Sequence, residues 1–440
     1  MKQTELLKLA EKLIKYSVSH GADDSVISIN RSSNFSVECR NDKIERLEDA
    51  SSLSISVKII KDSKVANASC SDIDVSVVEK LIKGTIKRAE LSGQDKYATL
   101  PEKSASYIDP EELMLFDDEI AKMKPEEKIK IARFLESEAM KNKSINLSNG
   151  SSCYTGSGTS VLALSNGFSG FYDFTYLSAG IALQTSDNDK MYQDGWWETN
   201  VKRSKFPKLD KIVQKAVERT TRLVGAKKIK SQNVPIVFDP NMSAMLLGFF
   251  AQCVSGTSIY TKQSFLVDKL GEKIANPLVN IIDDGTLAGL PGSRPYDREG
   301  VSSKRLKVVE NGELKSYILD TYAANKLNLK STGHSGGTTN FYLEAGQSSP
   351  EEIIASVKNG LYLTNTIGQG TVPTTGDISK GASGIWIENG KLTYPVDEIT
   401  ISGNLANILN DIEMLGNDLE FSRSRVAPTI KVKEMSISGL

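Results

Sequence analysis

The sequence predicts an α+β protein, with an N-terminal antiparallel sheet carrying helices on one face and a β-rich C-terminal domain built around a buried central helix. Three observations carry this. Leu53, Ile55, Val57 and Ile59 alternate with Ser54, Ser56 and Lys58, so one face of a strand meets a core and the other meets water. That strand lies in a run of β-type segments flanked by two helical segments, the order expected of helices layered on one sheet. Further on, a short β-type run at 234–238 precedes Asp239-Pro240, a helix start, and apolar residues follow at Met242, Met245, Leu246, Phe249, Phe250, Cys253 and Val254. Leu247, Gly248, Ala251 and Gln252 fill the other side with small or mostly apolar groups, so this helix is expected to be buried nearly all round, with Gly256 as its stop.

In chain order, residues 4–20 form an amphipathic helix through Leu6, Leu9, Ala10, Leu13, Ile14 and Ser17, with His20 in its last turn and Gly21 ending it. Segments 25–29, 35–40, 44–47, 53–60 and 64–69 read as an antiparallel meander, after which Asp74 caps a second helix through Val77, Val78, Leu81, Ile82 and Ile86. A weakly patterned connector with Pro101 and Pro110 leads to a helix opened by Pro125 with acids in its first turn. Residues 145–197 alternate strongly, punctuated by Asn149-Gly150, Asn166-Gly167 and Asp187-Asn188-Asp189 as turns. A helix at 207–224 and a basic linker reach the central strand and helix. Beyond these, Asn311-Gly312 and Asn389-Gly390 mark type I′ hairpins, 350–359 and 404–415 read as helices, and 429–436 as a closing strand. The expected division is 1–92, 93–230 and 231–440.

The totals exclude several classes. The 54 basic and 55 acidic residues of the 440 nearly cancel, which leaves no basic surplus for direct nucleic-acid binding. No apolar run reaches membrane-spanning length, and the N-terminus lacks a signal-peptide core. Four scattered cysteines without a CxxC pair suit a reducing cytoplasm, the expected location. Two histidines, His20 and His334, cannot form a histidine cluster.

Four stretches could carry chemistry. Asp283-Asp284-Gly285 and Asp297-Arg298-Glu299-Gly300 group carboxylates, and beside glycine they read first as turn formers. His334 sits in a glycine loop (Gly333, Gly336, Gly337) with Ser335 and no acid nearby in sequence to orient it. The glycine-rich stretch 368–384 lacks the lysine–hydroxyl pattern and following helix of a phosphate loop, so it reads as structural.

The stretches GTSIYTKQSFLVDKLGEKI, PYDREGVSSKRLKVVENGELKSYILDTYAANKL, STGHSGGTTN, TTGDISKGASGIWIENGKLTYPVDEITISGN and the ending GNDLE…APTIKV resemble, in order, the TldD/PmbA family, also labelled modulator of DNA gyrase. The resemblance is to the PmbA (TldE) branch; it is dense over 234–440 and sparser before. It implies a metallopeptidase complex whose TldD-type subunit carries zinc on an HExxxH helix and a late cysteine. Carried over, the three motif positions hold Leu247, Gly248 and Gln252 here, and FSRSRVAPT stands where the cysteine would be. None of these is a zinc ligand or a base. Residues five apart on a helix are rotated by roughly 140° from coincidence, so the motif also needs a distorted helix.

The resemblance thus implies a non-catalytic subunit, with no cofactor of its own and zinc expected in a TldD-type partner. Its partners would be that HExxxH subunit or a second copy, with unfolded or modified peptides as substrate. A self-associating peptide binder and an indirect modulator of gyrase are the alternatives. Candidate peptide-groove or interface residues are Asp297, Glu299, Gly300, Gly336, Gly337, Thr375 and Gly376, and the interface is expected to draw on the C-terminal half. A glycine at position 248, in mid-helix, predicts a close neighbour there.

Overall fold

The computed structural model describes residues 2–104, 106–188 and 190–440; Asp189 of the expected third turn lies outside them. The first half is built on one six-stranded antiparallel sheet. Its strands are β1 (Asp24–Arg40), β2 (Lys43–Lys61), β3 (Lys64–Cys70), β4 (Leu147–Leu164), β5 (Ser169–Asp187) and β6 (Lys190–Asn200), in the spatial order β3-β2-β1-β4-β5-β6. Because β1 pairs with β4, the sheet runs unbroken across the connector.

Two pairs of expected strands merge. Segments 25–29 and 35–40 are one strand, as are 44–47 and 53–60, because the polar stretches between them pair with each other, Asn30 opposite Ser54 and Ser32 opposite Ser52. Side chains there are polar on both faces, so no alternation marks the pairing. Asn149-Gly150 is not a turn but a bulge inside β4, where Gly150 takes φ +114°.

The odd-numbered positions of this sheet form its buried face. Ile27, Ile29, Ile55, Val57, Ile59 and Val161 pack against α1 (Gln3–Ser19) and α2 (Val75–Leu91). Farther along the same strands, Val37, Cys39, Cys153, Ala179, Ile181 and Leu183 pack against α4 (Pro125–Ala139) and α5 (Leu209–Thr221), while α3 (Asp118–Ala121) adds Ile120. These helices therefore lie on the odd face, where the apolar positions are continuous; the even face is apolar chiefly near Leu162 and Leu164, which cluster with Phe168 and Tyr296. The other face is partly open. The outer edge of β2 is unpaired from Lys43 to Ser54, where Ile44 and Leu47 are exposed.

The second half interleaves two sheets. The elements are β7 (Gln232–Phe238), α6 (Pro240–Cys253), α7 (Gly256–Tyr260), β8 (Ile281–Asp284), β9 (Arg305–Glu310), β10 (Glu313–Leu314), α8 (Thr321–Leu327), β11 (Phe341–Leu343), α9 (Pro350–Ala355), β12 (Asn359–Ile367), β13 (Thr371–Val372), β14 (Asp377–Glu388), β15 (Lys391–Asn404), α10 (Leu405–Asn410), β16 (Ile412–Leu415), β17 (Arg425–Val426) and β18 (Ile430–Ser438). Five strands close on themselves, since β12-β7-β18-β15-β14 pair in turn and β14 pairs back to β12. The smaller sheet runs β10-β9-β8-β11-β17.

Helix α6 lies between them. Leu246, Phe249, Phe250 and Cys253 share one core with Ile236 and Phe238 of β7, Leu361 and Leu363 of β12, and Phe341 and Leu343 of β11. Each such side chain, fully buried, contributes roughly 1.5–3 kcal/mol. The expected helix at 404–415 stops at Asn410, because Ile412–Leu415 is drawn into pairing with β18. Gly256 does not stop α6, which ends at Cys253. Gly256 instead opens α7, where a Cβ would come within 2.5 Å of Ala323. Both Asn-Gly hairpin turns have positive φ at Asn and Gly, as a type I′ turn requires (Asn311 47° and Gly312 76°, Asn389 51° and Gly390 75°).

Candidate functional site

The carboxylate of Asp239 at the end of β7 caps α6, accepting from the Met242 backbone N–H at 2.8 Å, and Pro240 fills the first turn. The helix is regular, and its burial is one-sided. Leu247 and Ala251 are buried, whereas Asn241, Ala244 and Gly248 are half-buried and Gln252 is exposed. These four stand three or four residues apart and share one face. The expectation of burial all round therefore fails along this stripe, because only the edge strand β17 and its Arg425 side chain reach it, and they cover it in part. Leu247 points to the core and Gln252 to solvent, the divergence that five-residue spacing on a straight helix imposes.

The close neighbour at Gly248 is Arg425 from β17. A Cβ at Gly248 would lie 3.0 Å from an Arg425 guanidinium nitrogen and 3.6 Å from its Cδ. Beyond Arg425 the accessible stripe opens into a cavity of about 440 Å³. Behind it, Arg219 and Arg222 from α5 and the following turn interlock with two acids. Asp194 lies 3.0 Å from Arg219 and 3.3 Å from Arg222, and Asp239 lies 4.0 Å and 3.7 Å from the same pair. Burial raises the Asp239 carboxyl above its ordinary range, opposed by the Met242 N–H and the two guanidiniums. Trp196 forms a platform beside this cluster, with the guanidiniums of Arg219 and Arg423 at 5.3 and 5.6 Å from its ring. Glu198, which accepts from the Trp196 indole N–H at 2.7 Å, is pushed up by burial.

The carboxylate-rich segments meet elsewhere, where the smaller sheet abuts the first one. Asp283 and Asp284 both lie in β8 and are buried; Asp284 does form the turn after it, accepting from the Thr286 N–H at 2.9 Å and hydroxyl at 2.6 Å, whereas Asp283 is not a turn former. Asp283 supplies the acid that no sequence neighbour of His334 offered. His334 Nε2 is 2.9 Å from Asp283 Oδ1, and its Nδ1 is 2.9 Å from the Thr332 hydroxyl. Thr339 also donates to Asp283 from its backbone N–H at 2.8 Å and from its hydroxyl. The relay is sealed from solvent, so it braces two loops and offers no nucleophile.

Beside it, Asp297 accepts from the backbone N–H groups of Glu299, Val301 and Ser335 at 2.8–2.9 Å. Burial pushes its carboxyl up, and those three donors and Arg294 pull it down. Glu299, raised by burial, accepts from the Thr321 N–H. Arg294 donates to the Gly337 carbonyl at 2.7 Å, and Arg298 lies over Gly336.

Asp297, Glu299, Gly300, Gly336 and Gly337 are thus brought together, whereas Thr375 and Gly376 are not. Their neighbours are Asp377, Asn404 and Phe265. The stretch around them is a strand pairing: Gly370 backs directly onto the Ser379 carbonyl, which leaves no cradle for a phosphate.

Gly300 has φ +74°, and its Cβ would sit 2.8 Å from the Phe168 ring; Gly337 has φ +94° with open space around it. Gly300→Ala is expected to cost about 2–3 kcal/mol from strain and overpacking together, and Gly337→Ala about 1 kcal/mol from strain alone. Parallel urea melts check the ordering; equal losses would remove the packing role given to Gly300.

The residues at the family's zinc positions do not fit the metal. Leu247 and Gly248 have no donor atom, Gln252 is a lone amide, and the Arg425 guanidinium places a cation beside Gly248. Thiolate chemistry at Cys153 and Cys253 is disfavoured too, since burial pushes both thiols up to about 12. Sequence reasoning missed Arg219, Arg222, Trp196, Asp194, Arg423 and Arg425. The one available signal was the pair Arg219 and Arg222, three apart at the end of an amphipathic helix.

Comparison with known proteins follows the same outline. Three family models match in order: domain 1 of the PmbA/TldA metallopeptidases over residues 26–90, the central domain over 118–224, and the C-terminal domain over 231–439. The Escherichia coli protein named metalloprotease PmbA is 28% identical over 438 residues, covering 99% of this chain and 97% of its own. A Buchnera aphidicola metalloprotease TldD homologue is 31% identical over 237 residues, about half of each chain (49% and 47%). Among solved structures, a Bacteroides thetaiotaomicron protein described as a candidate modulator of DNA gyrase superposes with a TM-score of 0.92 at 31% identity, covering 98% of both chains. TldE from Thermococcus kodakarensis shares the fold, with a TM-score of 0.85 at 22% identity over 98% of this chain and 100% of that one. With three successive domain models matched and the fold shared from end to end, the chain belongs to the PmbA/TldD family of metallopeptidases.

Proposed function

We propose that the chain is a non-catalytic PmbA/TldE-like subunit of a TldD-type zinc metallopeptidase complex, acting in the proteolysis and maturation of unfolded or modified peptides. One observation carries the reading: Arg425 packs against Gly248, with leucine and glutamine at the other two motif positions. A guanidinium there repels a divalent ion, and no carboxylate remains on that face to activate water. The relatives' names, metalloprotease PmbA and TldD, support the peptidase context. Zinc and the catalytic base then belong to the HExxxH-bearing partner.

A second reading, a self-associating peptide binder, is favoured by the free edge of β2 with Ile44 and Leu47 exposed, a surface suited to strand addition.

The test is to purify the chain alone, the HExxxH homologue alone, and the two mixed, each with zinc. Cleavage of unfolded peptides is expected from the mixture, abolished by chelator and by replacing the partner's motif glutamate with glutamine. Chelator-insensitive cleavage by this chain alone would overturn the proposal, and a stable homodimer that ignores the partner would favour the second reading.

A further inference from the structure

We propose that the cleft beside α6 recognises one carboxylate of an extended peptide through Arg423 and Arg425, an inference that rests on the peptide-binding role proposed above. The cleft is built for it. The cavity of about 440 Å³ has an apolar lining that includes Trp196, Ile354, Tyr362 and Leu392, which gives side chains beside the carboxylate somewhere to go.

Its inner acids are already committed. Asp194 and Asp239 are locked to Arg219 and Arg222, and Asp418 accepts from the Thr429 backbone and hydroxyl at 2.9 and 2.7 Å. The two outer cations are not. Among the described residues neither Arg423 nor Arg425 has a direct ion-pair partner; Arg423 stacks on Trp196 and its charge reaches the buried Glu198 carboxylate, and Arg425 lies against Gly248. Both are exposed at the mouth of the cavity. Deeper in, the Nε atoms of Arg219 and Arg222 are buried without a hydrogen-bond partner. A guanidinium is suited to a planar carboxylate, which it binds by two parallel hydrogen bonds.

The rim narrows the ligand class. Glu218, Glu351 and Glu420 are exposed around the same opening. They disfavour a polyanion such as nucleic acid while leaving room for a single charge directed at the arginines. The carboxylate could come from a peptide C-terminus or from an aspartate or glutamate side chain. The chemistry at the arginines is the same.

Three unstructured alanine–serine peptides separate the sources by isothermal titration calorimetry on the full chain, alone and with its HExxxH partner. One has a free C-terminus and no acidic residue, one an amidated C-terminus and a central glutamate, and one is amidated with glutamine at the centre. At least one carboxylate peptide is expected to bind roughly tenfold to a hundredfold tighter than the neutral one, the scale of a charge-assisted contact. Arg423→Gln with Arg425→Gln should erase that preference while the melting temperature stays unchanged. If the three bind alike, or the double variant keeps the preference, the carboxylate site is wrong and peptide binding stands. If no peptide binds with or without the partner, the peptide-binding role falls, and this inference with it.

Discussion

Replacing Asp283 by alanine is expected to cost about 3–5 kcal/mol, the scale of breaking a buried, hydrogen-bonded polar pair. Three donors converge on this carboxylate: His334 Nε2, the Thr339 N–H and the Thr339 hydroxyl. Each left without an acceptor in the interior costs about 1–3 kcal/mol, partly relieved by local rearrangement. The His334 ring is held between Asp283 at Nε2 and the Thr332 hydroxyl at Nδ1, both 2.9 Å away, so losing the acid also frees the ring's orientation. Asp283→Asn keeps one acceptor oxygen and should lose less, about 1–3 kcal/mol. Denaturant melts followed by tryptophan fluorescence give the comparison. A loss below about 0.5 kcal/mol for the alanine variant, the scale of an uninvolved surface change, would show that the relay braces nothing.

Tyr296→Ala is the second large effect, also about 3–5 kcal/mol, since it empties an aromatic site in a closed cluster. The Tyr296 ring, 3% exposed, meets Phe168 at 4.9 Å, Tyr107 at 5.0 Å and Tyr172 at 5.7 Å between centroids, all edge-on. Tyr107 comes from the connector, Phe168 and Tyr172 from the first sheet and the turn before it, and Tyr296 from the second half. The cluster therefore ties the two halves together. The Tyr296 hydroxyl has no partner among the described residues. Tyr296→Phe should accordingly be neutral or slightly stabilising, because it removes a buried polar atom without opening a cavity. Faster proteolysis of the 92–117 connector in the alanine variant, with the phenylalanine variant unchanged, would report the parting of the halves. Equal behaviour of the two variants would assign the effect to something other than ring packing.

The sequence by itself determined the layered first half, the strand-then-helix unit at 232–253, the type I′ hairpins and the absence of donors at Leu247, Gly248 and Gln252. These are local matters. Period-two alternation at Leu53–Ile59 and the i, i+3, i+4 apolar series of α6 record which way each side chain faces, and a missing imidazole is missing in any fold. Where both faces of a strand are wet, as at Ser32 and Ser52, local pattern carries no information, and the strands ran longer than their alternation. Only the tertiary structure decided that Asp283 reaches His334 across 51 residues, that Arg425 crosses to Gly248, and that Arg219 and Arg222 back a cleft whose mouth holds Arg423. Those pairings follow from sheet order, above all the parallel contact of β11 with β17 that delivers Arg425 to the accessible stripe of α6. A charge in a one-dimensional string has no fixed neighbour. Which cation is left without an acid is settled only when the chain closes.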